Sequence, residues 1–146
     1  MMVTRDELLA VIGPLAAATN LPLNVDSERC FADDLAGVTG TVELLADAGT
    51  AGCSIEDWNP VTNAIDPLAV AVDRDGAAAA GAARAGLVLT ARSENTLHGV
   101  NHLDDTTARL QASTPPAAAA RSPPGRPNPG HVAADRSAVP SPRSPL

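Results

Sequence analysis

Asp26 and Glu28 stand two residues apart, Glu56 is followed by Asp57, and Arg92 is followed two residues later by Glu94. Each group closes a short, largely apolar run: Leu21-Pro22-Leu23-Asn24-Val25, then Ala51-Gly52-Cys53-Ser54-Ile55, then Leu87-Val88-Leu89-Thr90-Ala91. If these runs are neighbouring parallel strands, about 4.8 Å apart, Asp26, Glu28 and Glu56 come close enough to share one hard cation. An oxygen-rich, water-retaining set of that kind suits Mg²⁺. Arg92 would then sit beside the ion, where a planar guanidinium grips a carboxylate or phosphonate. Taken singly, an acid after a strand also serves as a helix N-cap or a solvated surface group. Three successive strand ends that each carry a charge favour a site.

The elements that must position these groups alternate between helix and strand. Thr4-x-x-Glu7 is a capping box opening the apolar run Leu8, Val11, Ile12, Leu15, and Gly13-Pro14 predicts a kink or break within it. Asp33-Asp34 caps a second helix that turns Leu35, Val38, Val42 and Leu45 inward and stops at Gly49. Asp66-Pro67 reads as an N-cap with Pro at the first helical position, opening an Ala-rich helix that reaches Ala85. A fourth helix starts at Asp104. Each strand-to-strand interval is the length of one βαβ unit, so the expected fold is α/β, a parallel sheet covered by helices. A doubly wound sheet and a (β/α)₈ barrel both remain open at this point. No Gly-rich phosphate loop follows any strand, which disfavours nucleotide binding.

Composition narrows the function classes. The 146 residues carry a net charge of −7, with one Phe, one Trp, no Tyr and no Lys. Any core must therefore be built from Ala, Val, Leu and Ile. Residues 1–112 hold six arginines against sixteen acids, and an acidic body argues against nucleic-acid binding, which needs a basic face. No apolar run is long enough to span a membrane, and no basic segment leads an apolar stretch at the N-terminus, so a cytoplasmic protein is expected. Nine of the thirteen prolines lie in 113–146. That segment reads as a disordered Pro/Ala/Arg-rich tail with polyproline II character, and as an interaction segment in the second reading.

Cys30 and Cys53 are expected as free thiols, with Cys53 inside a strand. His98 and His102 lie four apart without a third ligand nearby, and Trp58 is expected to pack at the rim of the site.

The segments Leu21–Glu28, Ala51–Asp57 and Val88–Asn95 resemble, in order, motifs of the isocitrate lyase/phosphoenolpyruvate mutase superfamily, nearest to its phosphonomutase-like branch. The resemblance covers residues 4–112. It implies a partial (β/α)₈ TIM barrel of about three βα units, and Mg²⁺-assisted making or breaking of C–C or P–C bonds in small 2-oxo or 2-hydroxy acids. It also implies Asp26, Glu28 and Glu56 as metal-shell acids, partly through water, and Arg92 as the catalytic, substrate-holding arginine with Asn24 and Glu94 beside the substrate. Full-length relatives are implied to be homo-oligomers.

Two departures shape the expectations. The acidic pair of the family is followed by a Gly-aromatic-Gly turn, whereas this chain reads Cys30-Phe31-Ala32. A left-handed backbone there would cost Cys or Ala about 1 kcal/mol or more. A (β/α)₈ barrel also takes about 250 residues and eight strands. The chain is thus expected to be a truncated member, with a loss of pattern near residue 112 resembling a reading-frame change. A catalytically inactive fragment is the second functional reading.

Overall fold

The computed structural model describes residues 3–113. They form a mixed α/β unit of four helices, a three-stranded parallel sheet and a two-stranded antiparallel ribbon. The elements are α1 (Arg5–Ala18), β1 (Asn24–Asp26), α2 (Leu35–Asp47), β2 (Gly52–Glu56), β3 (Trp58–Asn59), β4 (Ala64–Ile65), α3 (Leu68–Ala85), β5 (Val88–Arg92) and α4 (Leu103–Ala112). The expected tail lies outside the described residues from 114 onward, while Ser113 closes α4 through its N–H to the Arg109 carbonyl. Among the described residues no helix is long and apolar enough to cross a membrane.

The parallel sheet runs β1-β2-β5, with Asp26 opposite Ser54 and Glu56 opposite Arg92. Side chains alternate between the two faces of a strand. One face presents Val25, Cys53, Ile55, Leu89 and Ala91 to the core, which Ile12, Val38, Val42, Leu45, Ala78 and Ala82 complete from the helices. The opposite face carries Asn24, Asp26, Ser54, Glu56, Thr90 and Arg92. Alternation therefore separates a packing face from a chemical one.

The helices follow their local signals with three corrections. The Thr4 capping box forms, with Glu7 Oε2 accepting from the Thr4 N–H at 2.8 Å. α1 then continues through Pro14 instead of breaking. Ala10 and Pro14 are exposed, so water can take the carbonyl that proline leaves unpaired. Of that helix's apolar run only Ile12 is buried, and Val11 and Leu15 face outward. In α2, Asp34 accepts the Gly37 N–H at 2.6 Å, Gly49 takes φ 96°, and Val38, Val42 and Leu45 are fully buried. Leu35, at the first position of α2, is exposed although it shares a face with Val42.

The third correction concerns α3. Its N-cap is Pro67, with no side-chain cap bond, because both Asp66 oxygens are engaged by Arg29 and Asn59. Ala71, Ala78, Gly81 and Ala82 form its buried face. A Cβ at Gly81 would stand 3.0 Å from the Thr39 carbonyl oxygen, so glycine there sets how closely α2 and α3 approach. The β3–β4 ribbon carries no alternating run long enough to announce itself in sequence.

Candidate functional site

The three strand ends meet at Arg92. Its Nη1 lies 2.5 Å from Asp26 Oδ2, its Nη2 3.5 Å from Glu56 Oε2, and its Nε and Nη2 2.9 and 2.7 Å from Glu94 Oε1. Asp26 is fixed further by the Ser54 hydroxyl, which donates to Oδ1 at 3.1 Å, and by the Glu28 N–H on the same oxygen at 3.1 Å. Two of these contacts follow directly from register. Glu56 and Arg92 are opposite partners, and Asp26 faces Ser54 from the far side of β2.

The expected residues separate into two groups. Asp26, Glu56, Glu94 and Arg92 are brought together. Glu28 makes no ion pair with Arg92 among the described residues; its carbonyl accepts the Glu56 N–H at 3.0 Å, so it borders the cluster through its backbone. Asn24 shares the face but sits two positions earlier, over Gly52, where an added Cβ would meet its Oδ1 at 2.6 Å. It lies toward the other end of the strands.

Electrostatics are lopsided. Three carboxylates face one guanidinium. Burial first, and then the charge of Glu94, push the Glu56 carboxyl up to about 7 against the opposing pull of Arg92. Partial burial works against ionisation of Asp26, but its bonds to Arg92, the Glu28 N–H and Ser54 outweigh it and hold the carboxyl below its ordinary value. Among the described residues no three His, Cys, Asp or Glu side chains are arranged to chelate an ion directly.

Behind the cluster lies a second set of charges that strand-end reasoning did not single out. Buried Asp57 accepts the Glu94 N–H at 2.8 Å and pairs with Arg109 Nη1 at 3.3 Å. Arg109 also binds Asp105 at 2.7 Å and the Asp66 carbonyl at 2.8 Å, tying α4 to the ends of β2 and β4. Buried Asn95 donates to Asp105 and Thr106. The one sequence signal was the i, i+4 spacing of Asp105 and Arg109. Trp58 packs on His98, with ring centroids 3.4 Å apart and planes 5° from parallel. That assigns His98 to a packing contact. Cys30 and Cys53 are both buried free thiols, and burial pushes Cys30 up to about 11.

Comparison with known proteins places this geometry in context. The chain is similar to a solved protein of lyase/mutase type from Burkholderia cenocepacia J2315, at 41% identity and a TM-score of 0.72, covering 77% of this chain and 41% of that one. A solved protein of phosphonomutase type from the same organism is 31% identical with a TM-score of 0.70, covering 75% and 47%. Phosphonopyruvate hydrolase, solved in complex with oxalate and Mg²⁺, shares the fold at 22% identity and a TM-score of 0.69, covering 77% and 40%. The chain thus spans less than half the length of these solved chains. The comparison with curated proteins found no match. The family model described as phosphoenolpyruvate phosphomutase matches residues 1–143, a stretch that holds all three strand-end motifs, and the chain belongs to that family.

Proposed function

We propose that the strand-end cluster is the cation- and carboxylate-holding part of a lyase or mutase site for small 2-oxo acids, set on three strands of a (β/α)₈ barrel. The observation that carries this reading is the convergence of Asp26, Glu56 and Glu94 on Arg92 at the C-terminal ends of adjacent parallel strands, the place where such barrels carry chemistry.

The donor set fits a hard divalent ion held largely through water. All donors are carboxylate oxygens, and Glu56, pushed up to about 7 by burial and then by the charge of Glu94, is a carboxyl that a cation would help to ionise. Asp26, Glu28 and Glu56 would hold the ion, most directly through Asp26, whose ionised form is already favoured. When bound, Mg²⁺ supplies Lewis-acid stabilisation of the enolate that C–C or P–C cleavage leaves behind.

Arg92 has two roles in this account. Without a substrate its fork neutralises three acids. With the acids' charge met otherwise, the same fork is free to grip the carboxylate or phosphonyl end of the substrate. Ser54 and the Glu28 N–H keep Asp26 in place during that exchange.

A second reading, a site without turnover, is favoured by the engagement of every Arg92 donor nitrogen with carboxylates. Turnover of phosphonopyruvate and oxaloacetate with and without Mg²⁺ separates the two. The proposal expects Mg²⁺-dependent product from at least one of them, lost in Arg92→Lys. No product from either supports the second reading.

A further inference from the structure

The loop between β1 and α2 carries three non-glycine residues in the left-handed region: Glu28 at φ 46°, Cys30 at 60° and Phe31 at 50°. A left-handed backbone is strained for an L-residue, so this path needs bonds to hold it. The Cys30 N–H donates to the Ser27 carbonyl at 2.7 Å and Arg29 pairs with Asp66 at 2.7 Å, but neither bond reaches residues 31–33. Its shape matters to the acids, because the Glu28 N–H anchors Asp26 and the Glu28 carbonyl anchors the Glu56 N–H.

Arg74 of α3 lies directly behind this loop and is only 3% exposed. Its Nη2 donates to the carbonyl oxygens of Arg29 at 2.5 Å and Ala32 at 2.8 Å, and its Nη1 to that of Asp33 at 3.4 Å. Those three carbonyls bracket Cys30 and Phe31. Among the described residues no carboxylate lies within ion-pair distance of Arg74, Asp66 and Asp33 attracting it only from further off, and its Nε is buried without an acceptor. Burying an unpaired guanidinium is expensive, and Ala or Leu would fill an α3 packing position without that cost. The fork is spent on one loop's backbone.

We propose that Arg74 is a positioning residue: its guanidinium holds residues 28–33 in their left-handed path, and thereby sets the spacing of Asp26, Glu28 and Glu56, in a chain whose position 30 is Cys. The effect on the loop stands by itself; the consequence for cation binding rests on the function proposed above.

The test uses the full chain, as wild type, Arg74→Met, and Arg74→Met combined with Cys30→Gly. Glycine adopts a left-handed φ without strain, so it relieves a loop-holding defect but cannot mend a packing defect in α3. The readouts are the NMR couplings and carbon shifts that mark positive φ at 28, 30 and 31, amide exchange at Val42, Leu45 and Ile55, and Mn²⁺ titration. Arg74→Met is expected to lose the positive-φ signature while core protection survives, and to weaken Mn²⁺ binding by about tenfold or more. Adding Cys30→Gly is expected to restore both, or to restore a cooperative melt if Arg74→Met alone does not fold. A loop unchanged in Arg74→Met overturns the proposal, and so does a defect that Cys30→Gly fails to relieve. A wild type that takes up no Mn²⁺ refutes the cation reading and leaves the loop result standing.

Discussion

Asp26 and Arg92, on the two outer strands of the parallel sheet, are joined above β2 by an ion pair of 2.5 Å. Arg92 is the shared counter-charge of three acids, so its removal leaves them to repel one another. Arg92→Met is expected to cost about 2 kcal/mol at pH 8, a figure held down because a third of the guanidinium is open to solvent. The loss is expected to be smaller at pH 5, where Glu56 carries its proton. Urea unfolding at the two pH values measures it, and an equal loss at both would count against charge as the cause.

Glu56 makes stability depend on pH in a stated direction. The folded carboxyl keeps its proton to about pH 7, whereas the unfolded one releases it near its ordinary value of 4.5. Folding therefore takes up a proton between those values, and stability falls as pH rises through that window, then levels off. The span is at most about 3 kcal/mol. Asp75, also raised by burial, contributes with the same sign. Comparison with Glu56→Gln isolates the Glu56 share: the variant is expected to be more stable than wild type at pH 8 and to show a flatter slope. Asp26 acts in a separate window, adding stability above its ordinary 3.8 that is lost at lower pH.

Arg109 is the clamp of α4. Replacing it with Leu strands buried Asp57 without a cation and releases the Asp66 carbonyl. A loss of about 3 kcal/mol is expected, with amide protection falling first along Leu103–Ala112. Hydrogen exchange reads this directly, and uniform loss across all helices would show that α4 is not docked by this residue.

Trp58 is the only tryptophan in the chain, which makes its stack on His98 easy to watch. His98→Ala is expected to red-shift and brighten its emission and to cost about 0.5–1.5 kcal/mol. An unchanged spectrum would mean that the rings are not stacked in solution.

Much of the parallel sheet was legible from sequence because each strand end announces itself: an apolar run closes on Asp26, on Glu56 and on Arg92, and a parallel register then forces those groups together. The helix boundaries at Thr4, Asp34 and Gly86 follow equally local rules, the last with φ 75°. What sequence did not reveal depends on contacts far apart in the chain. Asp66 looked like a cap, yet Arg29, 37 positions away, claims it. Arg74 carries no motif at all, since its partners are backbone carbonyls that any residue supplies. Asn24 obeys strand alternation but lies two positions before Asp26, toward the far end of the strands, while Glu28 falls past the end of β1 in a left-handed turn, where alternation no longer applies.

Uptake of a divalent ion by these carboxylates is the central property of the proposed site. Calorimetric titration of the full chain with Mg²⁺ at pH 8, wild type beside Glu56→Gln, measures this without requiring turnover. Saturable single-site binding that weakens about tenfold or more in the variant is expected. Absence of saturable binding in the wild type, or equal affinity in both, would contradict it.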